Sequence, residues 1–114
     1  MSHSDVTVVW EGDSLEVVQS FPKEVRTELG ADIRRLQNDE QPRNSRPMKS
    51  VGARVYELRQ MDKSGWYRVI YLAKVNNRLH MLHAFVKQSA KTSPRDLRVA
   101  SQRLKVVLSK LKDG

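Results

Sequence analysis

Glu57 and Arg59, then Trp66 and Arg68, then His83, Phe85 and Lys87 fall at alternating positions along the middle of the chain. Successive side chains on a strand point to opposite faces, so such spacing can gather reactive groups on one side of a sheet. Whether they meet depends on the turns between them. Asn76-Asn77 has the composition of a two-residue hairpin turn, which pairs Val75 with Arg78. Counting back, Leu72 falls opposite Met81, Ile70 opposite His83, Arg68 opposite Phe85 and Trp66 opposite Lys87. Trp66, Arg68, Ile70, Met81, His83, Phe85 and Lys87 then share one face. Tyr67, Val69, Tyr71, Leu82, Ala84 and Val86 share the other, which is apolar enough to pack on helices. If Asp62–Gly65 closes the preceding hairpin as a four-residue turn, Met61 pairs with Trp66, and Glu57 and Arg59 join Arg68. An odd turn or a bulge would send them to the opposite side.

The resulting face collects a carboxylate, two guanidiniums, an imidazole, an amine and two aromatic rings. Lys91 stands just beyond the last strand, and Arg46 and Lys49 lie in the loop leading to the first. This mixture suits RNA: cations hold phosphates, while Trp66 and Phe85 offer stacking surfaces of roughly 1–3 kcal/mol per base. Plainer structural roles compete. Arg59 and Arg68 could simply neutralise Glu57, a surface pairing of about 0–1 kcal/mol. His83 could be structural, and Trp66 and Phe85 could pack at a sheet edge. His80 and His83, three apart on a strand, should point to opposite faces, which counts against a shared metal; no metal site and no cofactor are expected. Neither a phosphate-binding loop nor G-x-G-x-x-G, H-E-x-x-H or G-x-S-x-G is present.

The elements that must position these groups follow from local pattern. Val6–Trp10 is β-branched and apolar, a short strand. Ser14 can cap a short helix through Gln19. Pro22 suits the first position of a second helix, whose stripe of Val25, Leu29, Ile33 and Leu36 runs to near Asn38. Gln37 to Gly52 has no period and reads as a loop. Arg54–Gln60, Trp66–Lys74 and Arg78–Lys87 read as strands. A last helix begins with Ser93 as cap, Pro94 first and Asp96 closing the box, with an apolar stripe of Leu97, Ala100, Leu104, Val107, Leu108 and Leu111. Arg95, Arg98, Arg103, Lys105, Lys110 and Lys112 occupy most of the remainder. The expected fold is α+β: a small antiparallel meander sheet, two N-terminal helices packed on one face and a C-terminal basic helix, all in a single domain over residues 1–114.

Composition narrows the partners. Of 114 residues, 30% are charged and only 39% apolar, consistent with a thin core under a heavily charged surface. Charge is segregated: residues 1–42 carry four basic and nine acidic side chains, whereas residues 43–114 carry 17 basic and four acidic ones. A basic half of this kind suits a polyphosphate, whose neutralisation releases counterions, or an acidic protein that masks the same surface. With no Cys, disulfides, thiolate metal sites and cysteine nucleophiles are excluded. No apolar run approaches the ~18 residues of a membrane span and no signal segment is apparent, so a cytoplasmic protein without membrane contact is expected.

Val55-Tyr56-Glu57-Leu58-Arg59, Tyr67-Arg68-Val69-Ile70-Tyr71, Leu82-His83-Ala84-Phe85-Val86-Lys87 and Lys91-Thr92-Ser93-Pro94, preceded by Pro47, Lys49 and Gly52, together resemble the RelE/ParE toxin superfamily. Its phage-derived, HigB-like group is the most similar, over about Val8 to Leu111. The resemblance implies the toxin of a type II toxin–antitoxin pair, a ribosome-dependent messenger RNA endoribonuclease. It implies a phosphate-contacting catalytic role for Arg68 and further cations in Lys87 and Lys91, with Glu57, Arg59 and His83 as additional catalytic candidates. It also implies an antitoxin partner, a helix-turn-helix protein that brings indirect DNA contact, besides the messenger and the ribosome. The expected chemistry is metal-free attack of a ribose 2′-hydroxyl on the adjacent phosphate. Glu57 or a lysine of lowered pKa would be the base, Arg59 and Arg68 would hold the phosphorane, and His83, Lys87 or Lys91 would be the acid. Arg46, Lys49, Trp66 and Phe85 would bind RNA. Two alternatives stay open: a ParE-type toxin that poisons gyrase without cleavage, and a non-catalytic RNA-binding module.

Overall fold

A computed structural model describes residues 6–87, 89 and 91–113. Its elements run β1 (Thr7–Trp10), α1 (Ser14–Gln19), α2 (Lys23–Gln37), β2 (Ser45–Pro47), β3 (Val55–Asp62), β4 (Gly65–Val75), β5 (Arg78–Lys87) and α3 (Pro94–Asp113). They build a five-stranded sheet in the order β1-β5-β4-β3-β2. The fold is α+β, but the sheet is mixed and not a pure antiparallel meander. β2 to β5 form the meander, while β1 lies parallel to β5, Thr7 beside Arg78. The cause is the connection: α1 and α2 carry the chain from one edge of the sheet to the other, and β1 is left beside the last strand. The expected loop after α2 also contains an element, since β2 pairs with β3 at Arg46 and Glu57.

Asn76 and Asn77 both take positive φ, 51° and 60°, the left-handed pair that a tight hairpin requires. At the other hairpin Met61 pairs with Trp66 and Asp62 with Gly65. The Asp62 carboxylate holds that turn, accepting from the Ser64 N–H at 2.8 Å. The expected pairs Trp66–Lys87, Arg68–Phe85 and Ile70–His83 are present, but Leu72 meets His80 and not Met81.

A bulge between those pairs makes Leu82 the extra residue. Met81 therefore joins the apolar cluster of α1 and α2, with Phe21, Leu29, Tyr67, Val69 and Tyr71. Leu82 crosses to the cluster of α3, with Ile70, Phe85, Leu104 and Val107. Both positions are reversed from the expectation. The same slip places His80 on the face of His83, although the two bond to different carboxylates, Glu11 and Asp96. The bulge frees the Leu82 carbonyl, which Arg103 of α3 takes at 3.0 Å. Val86, expected under the helices, is exposed, as is Leu108 of the α3 stripe.

Ser14 does not cap α1. It is buried as the first residue of the helix and its hydroxyl donates to the Met81 carbonyl at 3.1 Å. Ser93 does cap α3, accepting from the Asp96 N–H at 3.1 Å.

Candidate functional site

The register arranges the α3-facing side of the sheet in rows, because side chains directly opposite share a face. One row holds Met61, Trp66 and Lys87; the next Arg59, Arg68 and Phe85; the next Glu57, Ile70 and His83. β2 extends two of these rows. Arg46 lies beside Glu57, and the Asn44 carbonyl accepts from the Arg59 N–H at 2.9 Å.

Arg59 and Arg68 sit directly opposite each other, a repulsive placement that Glu57 offsets. Its Oε1 lies 3.4 Å from Arg68 Nε and 4.0 Å from Arg59 Nε. Glu57 is 1% exposed, and its other oxygen has no hydrogen-bond partner. Arg68 is itself buried, its Nη1 donating to the carbonyls of Tyr67 at 3.1 Å and Gln60 at 3.3 Å, while its Nε makes no hydrogen bond. Burial lowers the Arg68 pKa; Glu57 opposes this, and Arg59 and Arg46 add to it. Lys87 behaves similarly. Desolvation holds its pKa below the usual lysine value, Glu57 works against that, and Arg68, Arg46 and Arg59 push it further down. One buried carboxylate thus stands among several cations, with hydrogen-bonding capacity unused on both sides.

Two clefts open over this cluster. The first, of about 390 Å³, is lined by Arg46, Lys49, Glu57, Lys87, Lys91 and Thr92, among others. The second, of about 360 Å³, is lined by Asn44, Arg59, Gln60, Met61 and Arg68. Seven of the sequence-predicted residues therefore line the clefts: five the first and two the second. Trp66 is half-buried in the outermost row, between Met61 and Lys87. Phe85 is placed otherwise than expected. Its ring is 6% exposed in the α3 core and stacked on His83 at 5.1 Å, so it presents no open platform for a base. His83 lines neither cleft; its Nε2 bonds to Asp96 Oδ1 at 2.7 Å, and it sits beside Arg103.

Three positioning residues escaped the sequence reading. Asp32, 1% exposed, accepts from the backbone N–H groups of Arg43 at 2.9 Å and Asn44 at 3.3 Å and from Arg35 Nη1 at 2.6 Å. It thereby fixes the segment that delivers Arg46. Its signal was present: with Val25, Leu29 and Leu36 it falls at helical spacing on the buried stripe, where a carboxylate must find partners. Asp96 does more than close a capping box, since it also holds His83. Arg103, one of the basic residues outside the apolar stripe of α3, donates to the Leu82 carbonyl and to Asp13 Oδ1, each at 3.0 Å.

The family profile described as Phage derived protein Gp49-like (DUF891) matches residues 16–105, most of the chain and every candidate site residue. The chain belongs to this Gp49-like family. Members are associated with RelE-like toxins, which agrees with the broader resemblance read from the strand motifs. No curated protein matches the chain. The matched span of the Gp49-like domain starts in α1 and ends in α3. It therefore includes both cleft walls and excludes β1. Among the described residues of this Gp49-like protein, no helix is long and apolar enough to cross a membrane.

Proposed function

We propose that this Gp49-like protein is the toxin of a HigB-like toxin–antitoxin pair, a cytoplasmic endoribonuclease that cuts messenger RNA on the ribosome. The observation that carries this reading is the first cleft, where Lys87 with a lowered pKa and Lys91 flank the buried Glu57 under Arg46 and Lys49. A lysine whose charged form is disfavoured has a larger neutral fraction with which to take a proton. In the proposed reaction Lys87 accepts the 2′-hydroxyl proton and the oxygen attacks the adjacent phosphorus. The bond to the 5′ oxygen then breaks, with Lys91 donating the proton that oxygen needs. The products are a 2′,3′-cyclic phosphate and a 5′-hydroxyl. Arg59 and Arg68, beside Glu57, supply the positive charge that stabilises the phosphorane. Glu57 is assigned the holding of these cations and not the base, because at 1% exposed, with Oε1 beside both guanidiniums, it is not open to a substrate hydroxyl.

The antitoxin would cover the basic surface, presenting acidic groups, with a helix-turn-helix region binding DNA. Inducing the toxin and mapping transcript ends tests the reading. Internal cuts with cyclic phosphate ends, lost in Lys87→Met, are expected. Intact transcripts with damaged DNA would overturn it in favour of gyrase poisoning. Co-expression with the neighbouring small gene should rescue growth and yield a co-purifying complex.

A further inference from the structure

The second cleft is chemically unlike the first. The first has four cations among its lining residues, whereas the second has two, Arg59 and Arg68, beside the amides of Asn44 and Gln60 and the thioether of Met61. A phosphate alone needs neither. Met61 is 68% exposed, the most open large apolar side chain described, and its cross-strand partner on the same face is the indole of Trp66. Such a pair on the rim of a cationic site offers an apolar, polarisable surface for the flat face of a ring.

Asn44 is held from both sides through its backbone: its N–H donates to Asp32 Oδ2 at 3.3 Å and its carbonyl accepts from Arg59. Its side-chain amide makes no hydrogen bond among the described residues, so a fixed backbone presents an uncommitted donor and acceptor to the cleft. Arg68, 95% buried, also lines the cleft. The cleft volume of about 360 Å³ falls in the range of small-molecule sites, about 300–1,000 Å³.

We propose that this second cleft is a nucleobase subsite: the base next to the scissile phosphate lies against Met61, backed by Trp66, and Asn44 reads its edge. The inference rests on the nuclease reading for the identity of the ligand. The Glu57–Arg68 contact of 3.4 Å joins the two cleft floors, which suits successive groups of a single RNA strand.

The test uses the full chain and short single-stranded RNAs of equal length: four homopolymers and one oligomer abasic at its central positions. Binding is read by fluorescence anisotropy over a salt series. The wild-type protein should prefer one homopolymer and bind the abasic oligomer roughly tenfold more weakly, as expected for a lost stacking contact. Met61→Ala should weaken all four homopolymers and spare the abasic oligomer. Asn44→Ala should level the preference among the four while leaving the salt dependence of binding unchanged, because no phosphate contact is lost. Thermal melts of both variants, at exposed positions, check that the fold is retained. Equal binding of abasic and intact RNA by the wild type, or variants that alter the salt slope and not the base preference, would overturn the subsite. RNA bound with base preference by a protein whose induction leaves cellular transcripts uncut would sustain the subsite and sink the nuclease reading. Oligomers not bound at all, with transcripts cut on induction, would sink the subsite alone.

Discussion

Asp96 and Glu57 are both carboxylates that bond to the same side of the sheet, yet their surroundings differ. Around Asp96 both oxygens are used: Oδ1 by His83 and Oδ2 by the Ser93 hydroxyl, at 2.7 Å each. Arg103 then ties the same region to Leu82 and Asp13. Around Glu57, only 1% exposed, one oxygen and the Nε groups of Arg59 and Arg68 are left without hydrogen-bond partners. A buried polar group left unsatisfied costs about 1–3 kcal/mol, so a fold has reason to complete such bonds. The cluster that is complete secures α3 to β5. The incomplete one is where a ligand has bonds still to make.

Substitutions can set these clusters against each other. The largest effect is expected at Lys87→Met, which should lower RNA cleavage ~10²–10⁴-fold, the usual range for a lost general base. The protein's melting temperature should hold or rise, because a desolvated cation has been removed. Arg68→Lys keeps a cation beside Glu57 but loses the planar fork; cleavage should fall ~10²–10³-fold with a smaller drop in the denaturation midpoint, because the Tyr67 and Gln60 carbonyls lose their donor. Asp96→Ala should do the reverse. It strands His83, costing about 1–3 kcal/mol in urea unfolding, while single-turnover cleavage by the folded fraction stays near wild type.

The smallest effect is a pH dependence. Lys87 has a lower pKa folded than unfolded, so the unfolded chain binds more protons between those two values. Its penalty is therefore full below the folded value and vanishes as pH climbs past the unfolded one, near 10.4. The melting-temperature advantage of Lys87→Met should shrink over that window. Cleavage by the wild type should rise with pH through the lowered value. A Lys87→Met enzyme whose cleavage rises in the same way would remove Lys87 from the role of base.

How much of this was legible depended on how local the cause was. Asn76-Asn77 specifies its own turn, and the pairing of Trp66 to Ile70 with β5 agrees with the count from it because the irregularity between Leu72 and Val75 and the one at Leu82 cancel. The meeting of Glu57, Arg59 and Arg68 rests on the other hairpin, Asp62–Gly65, whose sequence left both faces open. The Leu82 bulge carries no Gly or Pro to announce it. The residue that satisfies its freed carbonyl, Arg103, lies in a different element. β2 is three residues containing a proline, too short for any period, and is held in place by Asp32 from α2. His83 lies on the expected face, but its bond to Asp96 was not legible, because Asp96 already had a local explanation as a cap. Phe85 likewise shares the expected face, but α3 covers it, and nothing in an alternating pattern tells how far along a strand a helix will reach.

The parallel seat of β1 beside β5 has a consequence in time. Thr7 pairs with Arg78, made roughly seventy residues later, so the first strand to leave the ribosome waits for the last. Lys87 and Lys91, the far wall of the first cleft, arrive later still. Until β5 and the segment after it have emerged, a nascent chain holds a sheet in which β1 lacks its partner and the first cleft lacks a wall.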